Sequence, residues 1–151
     1  KITIYPVSIK HVSKLIISLN SLILILLGFF IITGSIKDFP KIIVAIILIG
    51  FALVINFRDI KDYKGDKKAG IKTLPVILGL KKAKIIIGIF FILAYLSVYF
   101  VIENWHFIPI LIIFGITQFY LINKKSYNEK YVFSVYLFSL IMVLFYFFIS
   151  L

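Results

Sequence analysis

Residues 58–75 read RDIKDYKGDKKAGIKTLP, a polar run in a chain that is otherwise mostly apolar. The run holds three of the six acidic residues of the chain, Asp59, Asp62 and Asp66. Spacings of three and four residues place their carboxylates on one face of a helix. Because neighbouring carboxylates repel one another, such a face favours a cation, and Mg²⁺ binds through a few carboxylates, water and phosphate oxygens. The pattern therefore predicts Mg²⁺ as cofactor and a diphosphate as substrate.

The composition is that of a membrane protein. Hydrophobic residues make up 62% of the 151 residues, and the mean hydropathy is +1.13, whereas a soluble domain is roughly 45–50% apolar. Most of the apolar stretches approach the ~20 residues that cross a bilayer as a helix. We therefore predict an all-α fold, a single membrane domain over 1–151 built as a helical bundle with about five transmembrane helices, at 15–34, 40–57, 84–102, 106–122 and 131–151.

The basic residues predict the orientation in the membrane. If five helices alternate in direction, segments 1–14, 58–84 and 123–130 share one side, and together they hold 15 of the 17 Lys and Arg residues. Cytoplasmic loops carry such an excess. We therefore expect a multi-pass protein of the cell membrane with its Asp-rich loop in the cytoplasm. Topology and contact with the anionic lipid bilayer explain the net charge of +11, so nucleic-acid binding is not expected.

Two further features bound the chemistry. The chain has no cysteine, which excludes disulfides, iron–sulfur clusters and thiolate zinc sites. It begins at Lys1, and its one methionine is Met142, so we expect a portion or a product of a longer chain.

Polar residues inside the predicted helices have two interpretations. Asn20, Asn56 and Gln118 either line a substrate cavity or join helices through hydrogen bonds. Asn56 is the best candidate for substrate contact, because it lies one helical turn before Asp59.

The acidic run and the residues after it resemble a motif of a known family. The pattern Asp-x-x-Asp-x-x-x-Asp is followed by Gly70, by Thr-Leu-Pro-Val at 73–76 and by Gly79. This combination resembles the second aspartate-rich motif of the UbiA superfamily of intramembrane prenyltransferases. Near the start of the chain, YPVSIK at 5–10 is similar to the family's Tyr-Ser-x-x-Leu-Lys loop before its fifth helix, with Pro6 where a serine is common.

The resemblance implies a nine-helix fold in which two Asp-rich motifs face each other across a cytoplasmic cavity. Magnesium ions bridge the motifs to a prenyl diphosphate, whose carbon–oxygen bond ionises so that a lipophilic acceptor captures the carbocation. Acceptors within the family are quinone precursors, tetrapyrroles, haem and ether lipids. This chain resembles the C-terminal part, helices five to nine. The N-terminal helices and the family's first motif have no counterpart, since the remaining acidic residues are Asp38, Glu103 and Glu129.

The resemblance also implies roles for individual residues. Asp59, Asp62 and Asp66 would hold the metal ions and are the expected catalytic residues. Lys10 and a lysine of the Asp-rich loop would contact phosphate. The full set of expected substrate-binding residues is Tyr5, Lys10, Asn56, Tyr63, Lys67, Lys68 and Lys72.

Two alternatives stay open beside the enzyme. One is a cation-binding transporter segment, and the other is a non-catalytic membrane subunit. Transport sites usually lie near the bilayer midplane on broken helices, whereas the acids here are predicted at the cytoplasmic edge, which favours the enzyme. Because only one Asp-rich motif is present, we expect the 151-residue chain to be inactive alone and to need a separate N-terminal half as its partner.

Overall fold

The computed structural model of the protein describes residues 9–37, 39, 41, 44–45, 48, 50, 54–102 and 104–150. Every regular element among these residues is a helix, which confirms the predicted all-α class. The chain divides into two compact units, Lys1–Ile55 and Asn56–Leu151. A single membrane domain with five transmembrane helices stays a prediction.

The first unit contains helix α1, Ile9–Thr33, and the second contains the remaining named helices. Helix α1 ends where Gly34 adopts a φ of +72°, and the Gly34 N–H closes the last turn on the Phe30 carbonyl at 2.8 Å. The second unit comprises α2 (Phe57–Lys68), α3 (Leu74–Leu78), α4 (Leu80–Ser97), α5 (Tyr99–Ile102), a 3₁₀ turn (Trp105–Phe107), α6 (Ile108–Asn123) and α7 (Glu129–Ser150).

Within the described ranges, one helical segment is long and apolar enough to cross a membrane. It is Trp105–Asn123, 19 residues with a mean hydropathy of 1.7, and it coincides with the predicted helix at 106–122. A shorter apolar segment, Ile16–Ile31, forms part of α1. The predicted helix at 40–57 lies mostly outside the described residues.

Helices α4 and α6 approach each other closely because each presents a glycine to its partner. A Cβ atom on Gly88 would lie 2.6 Å from Cδ2 of Phe119, and one on Gly115 would lie 3.1 Å from Cα of Ile92. Small residues that let two backbones approach are typical of helix pairs in membranes. The glycines therefore set the distance between α4 and α6.

A buried polar network joins α4, α6 and α7. The side chain of Gln118 is fully buried and donates through Nε2 to the Val132 carbonyl at 2.9 Å and to the Tyr95 hydroxyl at 3.4 Å. The Tyr95 and Ser139 hydroxyls share a further hydrogen bond of 2.9 Å. Of the two interpretations of Gln118, the structure therefore supports the joining of helices.

We expect Gly88→Ala to destabilise the protein, because the added methyl group collides with the Phe119 ring and overpacking costs about 1–3 kcal/mol. Gly28→Ala in α1 is the matched control, since a Cβ there has no heavy atom within 4 Å. The control gains up to about 1 kcal/mol in helix propensity. Thermal unfolding in detergent, followed by circular dichroism, should give a lower midpoint for Gly88→Ala than for Gly28→Ala. Equal midpoints would refute the close contact.

Candidate functional site

The Asp-rich run forms helix α2 and the loop that follows it, as the spacing of the aspartates predicts. Helix α2 carries Asp59 in its first turn and Lys67 and Lys68 in its last. Negative charge at the N-terminus and positive charge at the C-terminus both stabilise the helix dipole. Asn56 lies directly before the helix, partly buried, and its carbonyl accepts a hydrogen bond of 3.1 Å from the Asp59 N–H.

The three aspartates of α2 form a row and differ in burial. Asp59 is 0% exposed and Asp66 is 6% exposed, whereas Asp62 is exposed. In an ideal helix Asp59 and Asp66 lie within about 20° of each other around the axis, but they are about 10.5 Å apart along it. Asp62 lies between them along the axis and is rotated by about 60° from Asp59. This separation along the axis agrees with a second finding: among the described residues, no group of three acidic, His or Cys side chains could together hold one metal ion.

Asp66 holds the loop after α2 in place. The Thr73 hydroxyl donates to Asp66 Oδ2 at 3.3 Å, and both side chains are buried. The Ile71 N–H donates to the Asp66 carbonyl at 2.9 Å, and Gly70 supplies the left-handed turn with a φ of +71°. Thr73 then directly precedes α3, which has Pro75 in its first turn. The threonine of the Gly-x-x-Thr-Leu-Pro motif thus links the loop to the last aspartate.

The start of α2 is tied to the start of α7. Oε2 of Glu129 accepts a hydrogen bond of 2.9 Å from Lys61 Nζ, and Oε1 lies 3.4 Å from Arg58 Nε. The Tyr127 hydroxyl donates to the Phe57 carbonyl at 2.7 Å. Sequence reasoning missed these contacts. The available signal was that Glu129 is the only acidic residue after position 103, and that Arg58 and Lys61 share a helix face at a spacing of three.

The surroundings of Tyr127 and Lys61 keep both of these hydrogen-bond donors protonated. Burial raises the pKa of the Tyr127 hydroxyl, and the charges of Glu129 and Asp62 raise it further. The hydrogen bond to Glu129, followed by the charge of that carboxylate, raises the pKa of Lys61. The hydrogen bonds from Tyr127 to the Phe57 carbonyl and from Lys61 to Glu129 therefore persist well above neutral pH.

The other predicted substrate-binding residues are placed as follows. Tyr63 is partly buried, and its ring centroid lies 5.9 Å from Nζ of Lys67. Tyr5 and the side chain of Lys10 lie outside the described residues, although Lys10 itself belongs to α1. The predicted phosphate-binding lysines of the Asp-rich loop are all exposed: Lys67, Lys68 and Lys72.

Comparison with known proteins assigns this chain to a family. The model of the UbiA prenyltransferase family matches residues 2–150, and the chain belongs to that family. This confirms the resemblance seen in the sequence. Members of the family are integral membrane proteins.

Two curated relatives have the name digeranylgeranylglyceryl phosphate synthase. The protein from Pyrococcus horikoshii is 37% identical over 59 residues, which cover 37% of this chain and 21% of the relative. The protein from Pyrococcus furiosus is 58% identical over 33 residues, which cover 22% of this chain and 12% of the relative. The matched segments thus span about a fifth or less of these relatives. No solved structure matches the chain.

We expect the Tyr127 hydroxyl to stay protonated in the folded protein at pH values where tyrosines of the unfolded chain ionise, at about pH 10. Because its pKa is raised on folding, its contribution to stability is complete below about pH 10 and is lost as the pH rises through the folded-state pKa. The measurement is tyrosinate absorbance of the wild type and of Tyr127→Phe, which should be equal at about pH 10.5 in the folded proteins.

The control for this titration is the same pair of proteins in denaturant. There the wild type should exceed Tyr127→Phe by the absorbance of one tyrosinate, because the buried environment is gone. If the same excess occurred in the folded proteins, Tyr127 would ionise normally, and the burial that raises its pKa would be wrong.

Proposed function

We propose that this chain forms part of the active site of a Mg²⁺-dependent prenyltransferase. In this proposal α2 binds the diphosphate of a prenyl donor through metal ions, and the prenyl group passes to a lipophilic acceptor. The observation that carries the proposal is the row of aspartates on a helix of a chain in the UbiA prenyltransferase family. Family membership also favours an enzyme over a cation-binding transporter segment.

The acceptor is part of the proposal. Among quinone precursors, tetrapyrroles, haem and ether lipids, the names of the two Pyrococcus relatives favour an ether lipid built on glyceryl phosphate. The matched segments cover at most 21% of those relatives, and the comparison supports the class of acceptor.

The carboxylates of α2 fit Mg²⁺ better as a row than as a closed cage. Mg²⁺ usually keeps several waters and binds through one or two carboxylates together with substrate phosphates. Successive aspartates along α2 are about 4.5 Å and 6 Å apart along the axis, so each turn offers one carboxylate. Asp62 is exposed and accessible to ions from solvent, whereas Asp59 is buried, where a charge interaction is stronger than at the surface.

The residues around the row have separate tasks in this proposal. Mg²⁺ would neutralise the charge that develops on the departing diphosphate. Lys67, Lys68 and Lys72 would attract the diphosphate electrostatically from the exposed end of α2. Asp66 would position the loop that carries Lys72 through its contact with Thr73.

We place the proposed site on the cytoplasmic side of the membrane, and the sequence motifs give four further residues a role in substrate binding. Asn56 and Tyr63 are both partly buried beside the row of aspartates, and we assign them to substrate contact. Tyr5 and Lys10 are assigned to the diphosphate on the basis of the motif alone.

We expect Asp59→Asn and Asp62→Asn each to lower the turnover of the complete enzyme by about 100-fold or more, because each removes a charge that stabilises the departing diphosphate through the metal. The assay is Mg²⁺-dependent release of diphosphate from a prenyl diphosphate in the presence of candidate acceptors. Asparagine keeps the shape of the side chain, so the loss should occur in protein that inserts and folds normally.

Lys64→Ala is the control on the same helix, because this side chain is exposed and has no proposed role. It should turn over substrate at close to the wild-type rate. The metal-ligand assignment is rejected if both Asp variants stay within about threefold of wild type at saturating Mg²⁺.

A further inference from the structure

A cavity of about 500 Å³ lies beside α2, bounded also by the first turn of α4, the loop after α6 and the start of α7. Ile60 and Lys61 of α2 line it. In an ideal helix these residues lie about 100° and 200° around the axis from Asp59. The cavity therefore faces away from the row formed by Asp59 and Asp66, and the proposed diphosphate site does not account for it.

The lining of the cavity combines apolar, polar and basic residues. Ile60 is buried and, with Leu80, supplies apolar surface. Ser126, Tyr127 and Asn128 are the polar residues of the lining. Four lysines, each with an ammonium group, also belong to the lining: Lys61, Lys84, Lys125 and Lys130.

The negative charge in the lining does not balance these ammonium groups. Glu129 is the only carboxylate among the lining residues, and it is already engaged by Arg58 and Lys61. In the described part of the chain, no carboxylate forms an ion pair with Lys125 or Lys130. The cavity thus keeps an excess of positive charge.

Lys84 is held at the wall of the cavity rather than extending freely into solvent. Its Nζ donates to the Lys124 carbonyl at 2.9 Å and lies 5.3 Å from the centroid of the Tyr127 ring. The side chain is partly buried. An ammonium has three donors, so hydrogen-bonding capacity is left for a ligand, and the two contacts fix the ammonium in advance of binding.

The loop between α6 and α7 has a defined conformation at the cavity. The Asn128 side-chain oxygen accepts a hydrogen bond of 2.9 Å from the Lys130 N–H and so caps the start of α7. The Tyr127 hydroxyl binds the Phe57 carbonyl. The segment between Lys125 and Lys130 is therefore held by hydrogen bonds at Tyr127 and at Asn128.

We propose that this cavity binds a phosphate group carried by a lipid headgroup at the membrane surface or by a small phosphorylated molecule in solution. Phosphate oxygens accept hydrogen bonds from ammonium and hydroxyl groups, and their charge matches the excess on the lysines. The apolar surface of Ile60 and Leu80 suits the carbon skeleton next to the phosphate. The inference does not rest on prenyl transfer.

The test follows the lysine side chains by NMR, using purified protein whose lysines carry ¹³C and ¹⁵N labels, so that each ammonium keeps its three donors. In detergent, inorganic phosphate and glycerol 3-phosphate are titrated against sodium chloride at equal ionic strength. In nanodiscs of phosphatidylcholine, the fraction of phosphatidylglycerol is raised stepwise from zero. We expect the signals of Lys84, Lys125 and Lys130 to shift and saturate with a phosphate ligand. We expect sodium chloride to leave them nearly unchanged.

The variant Lys125→Gln/Lys130→Gln should weaken the binding measured at Lys84 by about tenfold or more. The variant Lys81→Gln/Lys82→Gln is the matched control, because it removes the same charge from exposed positions that do not line the cavity. The charge-preserving variant Lys125→Arg/Lys130→Arg should retain most of the affinity.

The outcomes separate the sources of the phosphate. Saturation with phosphatidylglycerol but not with the soluble ligands assigns a lipid headgroup, and saturation with the soluble ligands shows that the phosphate suffices. Absence of saturation with every phosphate ligand, or equal shifts with sodium chloride, overturns the proposal. Equal weakening by the two glutamine variants also overturns it, because binding would then follow net charge alone.

Discussion

The Glu129 carboxylate, shared by Arg58 and Lys61, fixes how α2 is rotated about its own axis. An exposed ion pair contributes little to stability by itself. Here it acts with the hydrogen bond from Tyr127 to the Phe57 carbonyl, so the start of α2 is held by a side chain and by its backbone. Residues on α2 change face every 100°. A rotation of about 100° would therefore put Ile60 in the place of Asp59.

The far end of α2 is held by a different interaction, so both ends of the helix are anchored. The hydrogen bond of 3.3 Å from Thr73 to Asp66 joins a buried hydroxyl to a buried carboxylate, and it holds the loop after α2 against the end of the helix. Asp66 is therefore structural as well as a proposed ligand. Between the two anchors, Asp59 and Asp62 differ in burial although they are one turn apart.

The sequence predicted those parts of the site that depend on local periodicity. A spacing of three and four residues was enough to place the aspartates on one helix, and the following Gly-x-x-Thr-Leu-Pro identified the family. The pairing of Lys61 with Glu129 spans 68 residues of sequence and depends on how distant helices pack. For the same reason the burial of Asp59 and the role of Gln118 between helices were not predictable from the sequence.

The most direct test of the account replaces Mg²⁺ by paramagnetic Mn²⁺ and measures amide signal broadening in the complete enzyme with a prenyl diphosphate bound. If α2 holds the metal, broadening should be strongest at Asp59 and Asp62 and should be weak at Ile108, which lies about 22 Å along α6 from Asn123. Asp62→Asn should reduce the broadening at low Mn²⁺. Broadening centred away from α2, or unchanged by Asp62→Asn, would contradict the assignment of this helix as the metal and diphosphate site.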